Sequence, residues 1–172
     1  MKLSPLQVKH YHFTTLSVIA RPDVDLEKLD YGSEPYPPMK EAKLHTKILL
    51  GEPDGESDPH QFIVMLVISS NPDKTSHFPY QFAASLEGVF MIEHDGSLEE
   101  RKRLVVRNGV SILYSAAREQ LLSLTARHKY GPMLLPAANF SGLSVSDKQS
   151  GETISKARKK VSLKPRVRAR PA

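Results

Sequence analysis

From Leu6 to Val18 apolar and polar residues alternate with the two-residue period of a strand. Leu6, Val8, His10 and His12 fall on one phase and the β-formers Tyr11 and Phe13 on the other, which predicts a strand partly covered on both faces. Four prolines (Pro22, Pro35, Pro37 and Pro38) then break the stretch from Arg21 to Pro38, where Val24, Leu26, Leu29, Tyr31 and Tyr36 are scattered between acids. This reads as a long crossing loop with apolar studs. Glu41 to Leu50 reads as a second strand, and Gly51 to Pro59 is rich in turn formers. Phe62 to Ser69 is a continuous β-branched and apolar run that suits a buried third strand. Asn71-Pro72-Asp73 marks a turn, and Phe82 to Ile92 supplies the fourth strand. Connections this short favour antiparallel neighbours.

The period then changes. Ser97-Leu98-Glu99-Glu100 is a capping-box pattern, in which the Ser97 hydroxyl and the Glu100 carboxylate satisfy each other's backbone amides at a helix start. Asn108-Gly109 is expected to interrupt that helix, because glycine inside a helix costs ~1 kcal/mol relative to alanine and asparagine can cap a new segment. The prediction is therefore a short helix followed by a long one from Val110 to His128. On the long helix Val110, Leu113, Ala117, Leu121 and Leu124 form one apolar stripe, widened by Ile112, Ala116 and Leu122. Gly131 is expected to close the helix in a left-handed conformation, and Pro132 to prevent its continuation. Four strands followed by helices make an α+β chain.

One small four-stranded sheet cannot hide that much apolar helix surface, so the periodicity suggests self-association. The stripe residues are the candidate interface, and Leu121→Glu is expected to break the oligomer. No internal repeat is present.

Length and charge refine this picture. The 172 residues, 40% apolar, suffice for one domain with a modest core and a tail. The net charge of +5 conceals two parts: residues 148–172 hold nine Lys or Arg and one acid, a local +8, so the other 147 residues carry −3. Residues 144–172 lack aromatics and are expected to be a disordered basic tail behind a domain spanning 1–143. There are no cysteines, and the longest apolar run, Phe62 to Ile68, is far shorter than the ~20 residues of a membrane-spanning helix. Lys2 and Lys9 are not followed by a signal-peptide core. The expectation is a cytoplasmic protein without membrane insertion.

Candidate chemistry is sparse. The seven histidines are His10, His12, His45, His60, His77, His94 and His128, and His10 with His12 would put two imidazoles on one side of a strand. No third ligand is in view and no HExxH or EF-hand pattern supports a metal. The acids cluster in turns (Asp54, Glu56, Asp58) or at the helix start (Glu99, Glu100), where solvation and capping account for them. Arg118 and Glu119 are adjacent on a helix, about 100° apart, so they do not face each other; a salt bridge to another element is the expected role. There is no Walker loop, no Gly-x-Gly-x-x-Gly and no Gly-x-Ser-x-Gly. No enzyme activity, cofactor or metal is expected. The tail bases could contact nucleic acid only in a salt-sensitive, sequence-blind manner.

The stretch Ile112 to Phe140, ILYSAAREQLLSLTARHKYGPMLLPAANF, carries Ala-Arg-Glu on a helix, passes Gly131-Pro132 and leaves through Leu134-Leu135-Pro136-Ala137-Ala138-Asn139-Phe140. It resembles the SecB family of protein-export chaperones, without a gap from about Ser111 to Leu143. Gly88-Val89-Phe90-Met91-Ile92 resembles the family's Gly-Ile/Val-Phe strand end. The resemblance implies a SecB-like four-stranded antiparallel sheet with helices packed on it, assembled as a dimer of dimers, and an ATP-independent holdase. Unfolded or precursor polypeptides would bind apolar grooves between helix, sheet and the loop Arg21 to Met39.

In this chain the groove residues would be Leu26, Leu29, Tyr31, Tyr36 and Met39 on one side, and Leu134, Leu135 and Phe140 on the other. Aromatic and thioether contacts suit an adaptable groove, and plain core is the other reading of the same residues. The chain departs from the family at several places. No proline precedes Ala-Arg-Glu, His128 stands where glycine is common, and Ala137 replaces the second exit proline. The family docks on the motor SecA through acids on the sheet and its third-to-fourth-strand turn; here that turn, Asp73-Lys74-Thr75-Ser76-His77, has one acid and one base, and the tail is basic where the family's is typically acidic. Two alternatives follow: a SecB-like chaperone of an antitoxin, or a non-chaperone adaptor whose basic tail contacts nucleic acid or ribosome.

Overall fold

A computed structural model describes residues 3–143 except 30, 33, 34, 54 and 56; the tail expected at 144–172 lies outside the described residues. Strands β1 (Leu6–Ala20), β2 (Leu44–Gly51), β3 (Gln61–Ser70) and β4 (Tyr80–Ile92) are followed by one helix, α1 (Leu98–Thr125). They form one antiparallel sheet in the order β1-β4-β3-β2. Two hairpins place β2, β3 and β4 side by side. The loop after β1 therefore has to carry the chain across the end of the sheet, and it makes two 3-10 turns on the way, Leu26–Lys28 and Met39–Glu41. Lys43, at φ 48°, reverses the backbone just before β2, which is why that strand starts at Leu44 and not at Glu41.

β1 corrects the predicted phases. Its pairing with β4 shifts register between Val8 and His10 and again between Phe13 and Thr15. Each extra residue flips the alternation. Leu6 and Val8, then Tyr11 and Phe13, then Leu16 and Val18 consequently share the helix-covered face, since they pair with Ile92, Phe90, Gly88, Leu86, Ala84 and Phe82. His10 and His12 pair with Val89 and Glu87 on the opposite face. The two phases that looked like two covered faces are one face reached through two bulges, on which Val8 and Tyr11, 36% and 46% exposed, stay open to solvent.

On that face Phe62, Val64, Leu66 and Ile68 of β3 and Ala84, Leu86, Phe90 and Ile92 of β4 are buried beneath α1. Each large side chain removed from water contributes ~1.5–3 kcal/mol.

The predicted short and long helices are one helix of 28 residues. Gly109 does not break it because that position is a contact point: a Cβ there would lie 3.3 Å from both Phe90 Cζ and Val64 Cγ2. On the strand below, a Cβ on Gly88 would lie 2.7 Å from Phe90 Cε2 and 3.0 Å from Leu113 Cδ2. The two glycines let helix and sheet close around the Phe90 ring, and that packing offsets the glycine cost. The capping box forms as expected at Ser97 and Glu100. The helix ends at Thr125, before the expected His128, and the chain turns twice more before Gly131 takes its left-handed conformation, φ 80°.

The apolar stripe is committed within the chain. Val110, Leu113, Ala117 and Leu121 are all fully buried against the protein's own sheet, and of the five proposed interface residues only Leu124, 41% exposed, faces solvent. The periodicity was sound, and one small sheet does hide most of the stripe.

Candidate functional site

The crossing loop is held by a buried cation. Arg21 donates to the carbonyls of Ser76 (2.9 Å) and Phe78 (3.0 Å) and pairs with Asp23 at 2.6 Å. That guanidinium holds the Asp23 carboxyl below its ordinary range. The Tyr130 hydroxyl reaches the carbonyls of Arg21 (2.6 Å) and Val24 (2.8 Å), and the Tyr31 hydroxyl donates to the Tyr130 carbonyl at 3.0 Å. Tyr80, from the start of β4, donates to the Gly131 carbonyl. Burial raises the phenols of Tyr80 and Tyr31, so both remain neutral donors. Through this knot the first half of the loop lies directly beside the segment that follows α1.

That exit segment runs back along the helix without regular structure, and the helix meets it with side-chain donors. Thr125 accepts from the Met133 amide at 2.7 Å while donating to the Leu121 carbonyl. Arg118 Nε donates to the Leu135 carbonyl at 2.8 Å and the Tyr114 hydroxyl to the Pro136 carbonyl at 2.8 Å. Four residues apart, Tyr114 and Arg118 share a helix face, and they take the carbonyls of two successive residues. Arg118 thus serves backbone recognition instead of the expected salt bridge. Phe140 returns onto Tyr114, ring centroids 5.3 Å apart in an edge-to-face arrangement. Burial also raises the Tyr114 phenol.

The predicted groove residues distribute unevenly. Leu26 is exposed, and Leu29, Tyr31, Leu134 and Phe140 are half-buried around the knot and the exit segment. Tyr36 and Met39 are also half-buried, but they belong to the second half of the loop. That half is tied instead to the β3–β4 turn, where Glu41 accepts from the Ser76 hydroxyl and the His77 amide. Leu135 is fully buried, so it is core and not groove surface, as is Met133 beside it. The residues missed by sequence reasoning are the polar ones, Tyr114, Arg118, Thr125 and Tyr130. The available signal was an i, i+4 pair of donors on an otherwise apolar helix flank.

A second polar cluster sits at the other end of α1. Arg101, 4% exposed, pairs with Asp58 and donates to His60 Nε2 at 2.6 Å, while His60 Nδ1 donates to the Ile92 carbonyl at 2.8 Å. The Arg101 guanidinium lowers the Asp58 carboxyl. Lys102 pairs with Glu52 at 2.9 Å, and that contact raises its ammonium. An open polar depression of about 400 Å³ lies beside this cluster, lined by His94, Asp95 and Ser97 among others. No group of three potential ligands for a metal exists among the described residues. No helix among them is long and apolar enough to cross a membrane.

No family model matches the chain, and no curated protein matches it. Among solved structures it is similar to a Mycobacterium tuberculosis SecB-like chaperone in complex with a ChAD peptide from the HigA1 antitoxin. The identity is 13%, the overlap covers 78% of this chain and 91% of that one, and the TM-score is 0.48. It is also similar to a protein of unknown function from Streptococcus agalactiae, at 10% identity over 77% of this chain and 97% of that one, with a TM-score of 0.48.

Proposed function

We propose that this protein is a non-enzymatic, ATP-independent holdase that binds extended segments of unfolded polypeptide along the flank of α1. The observation that carries the reading is the way the protein treats its own exit segment: an irregular extended chain is held through its carbonyls by Tyr80, Tyr114 and Arg118. Backbone-directed donors are blind to sequence, and the half-exposed Leu29, Tyr31, Leu134 and Phe140 around them offer apolar and aromatic contact. That pairing suits a partner defined by being unfolded. The resemblance over Ser111 to Leu143 supports the same assignment.

The client is, on this reading, a dedicated protein such as an antitoxin more than a precursor handed to SecA. At the β3–β4 turn Asp73 is paired with Lys43, and the Glu41 carboxylate accepts from the His77 amide, so the acids there are engaged within the chain. Assembly into a dimer of dimers and a cytoplasmic location belong to the proposal as well.

The test is dilution of a chemically denatured client into buffer without nucleotide, with and without the full chain. Suppressed aggregation is expected, and Leu134→Asp should weaken it in a protein that still melts cooperatively, since Leu134 is half-buried and outside the core cluster. No suppression by a protein that melts cooperatively would remove the holdase reading. Activity that vanished with added salt would favour the adaptor.

A further inference from the structure

We propose that Phe140 is a removable plug: its ring occupies, in cis, an aromatic subsite on Tyr114 that an aromatic side chain of a client takes in trans. The inference rests on the holdase reading and specifies which client segments the site prefers and how it is kept closed. Up to Pro136 the exit segment is bound tightly, with Met133 and Leu135 fully buried and the carbonyls of Leu135 and Pro136 clamped. Beyond that point the attachment changes. Residues 136 to 139 and then 141 and 142 are exposed, and among the described residues the backbone-directed bonds between 137 and 143 are local. The Ser141 amide donates to Asn139 Oδ1, and the Leu143 amide to the Phe140 carbonyl. Phe140 therefore sits between exposed residues, 136 to 139 before it and 141 and 142 after it, and is fixed by its half-buried ring against Tyr114, with Leu143 the next side chain packed on the core.

Among the described residues, swinging the ring out breaks no hydrogen bond to the body of the protein, and it removes the ring that packs on Tyr114, a residue 8% exposed. An edge-to-face pair is a directional contact that a leucine cannot reproduce. A client ring of the same geometry restores it. The Tyr114 hydroxyl stays on the Pro136 carbonyl throughout, so the subsite keeps its orientation. Because the site is available only in the fraction of molecules with Phe140 displaced, its apparent affinity is reduced by that fraction.

The plug and a simple contact role make opposite predictions for Phe140→Ala. The experiment uses the full chain and two fluorescein-labelled ten-residue peptides that carry leucines around a central phenylalanine or a central leucine, with binding read by anisotropy. As a plug, Phe140→Ala tightens the phenylalanine peptide by about three- to tenfold and leaves the leucine peptide within about twofold. Hydrogen exchange at Ser141 and Leu143 of the parent protein quickens when the phenylalanine peptide binds. Weaker binding of both peptides makes Phe140 an ordinary contact residue and overturns the plug, as does equal tightening of both. Absence of peptide binding by a chain that still suppresses aggregation overturns the plug and leaves the holdase intact; absence of both activities removes the holdase reading itself.

Discussion

The two ends of α1 are anchored by opposite chemistries. At its N-terminus the contacts are ionic: Arg101 with Asp58, Lys102 with Glu52, and the capping box in which backbone and hydroxyl contacts from Ser97 lower the Glu100 carboxyl. At its C-terminal half the contacts are neutral or one-sided: Tyr114, Thr125 and Arg118 bind backbone carbonyls and an amide of the exit segment. The first arrangement recognises particular side chains, and it responds to pH and salt. The second recognises the polypeptide backbone as such, and its phenols remain protonated across the physiological range. A protein that must hold arbitrary extended chain has use for the second kind of end, while the first keeps the scaffold in place.

The largest effect is expected between these ends, where the helix meets the sheet. Leu121→Glu puts a carboxylate at a fully buried position. Burying an unpaired charge costs more than the 5–15 kcal/mol by which small domains are typically stable can readily absorb. The expected outcome is loss of cooperative melting in calorimetry, with or without a change of association. A folded monomer would show that the stripe is an interface after all.

Removing the ionic anchor has a smaller consequence. Arg101→Ala deletes a buried guanidinium, but the partners it abandons, Asp58 and His60, have side chains 69% and 46% exposed and are rehydrated at once. The loss is then ~1.5–3 kcal/mol, as for a hydrogen bond to a charged group, measured by urea unfolding. The pH response separates the ends further. The carboxyls of Asp23, Asp58 and Glu100 are lowered in the folded protein. Their contribution is present above the ordinary carboxylate values near ~4 and is lost as pH falls through the lowered ones. The melting temperature should drop below about pH 4, and less steeply in Arg101→Ala because Asp58 then titrates normally. An identical acid limb in both proteins would dissociate Asp58 from the acid response.

Tyr114→Phe loses one neutral hydrogen bond, ~1 kcal/mol. Burial raises this phenol, so the bond persists to the ordinary tyrosine value near ~10 and weakens only above it. The deficit relative to the parent should be the same at pH 5, 7 and 9 in urea unfolding. A deficit that grew toward pH 5 would show that the neutral end is coupled to the carboxylates at the other.

How much of this was readable beforehand follows from what determines each feature. The capping box at Ser97, the buried third strand and the stripe on α1 are local patterns, set by residues within one or two turns, and the sequence displays them directly. The β1 phases were misread because a bulge is decided by the partner strand: only the pairing with β4 shows that Val8 and Tyr11 share a face. Gly109 was misread for a related reason, since its helix-breaking cost is local whereas the gain, contact with Phe90 and Val64, is not. The groove was half legible. Its apolar members stood out by type, but Leu135 and Leu134 differ only in which way the exit segment turns them, and Tyr114 and Arg118 could not be matched to carbonyls about 20 residues ahead.

The smallest expected effect tests what remains of the self-association argument. With Val110, Leu113, Ala117 and Leu121 consumed by the core, Leu124 is the one stripe residue left to meet another copy. At 41% exposure, Leu124→Glu should change stability by less than ~0.5 kcal/mol, the ordinary cost of a surface substitution. Its readout is therefore clean: light scattering reports association with no confounding loss of fold. A mass unchanged from the parent means that copies of this chain, if they assemble, do so through another surface. A halved mass means that the end of the helix, beyond the reach of its own sheet, carries the contact that the whole stripe was expected to make.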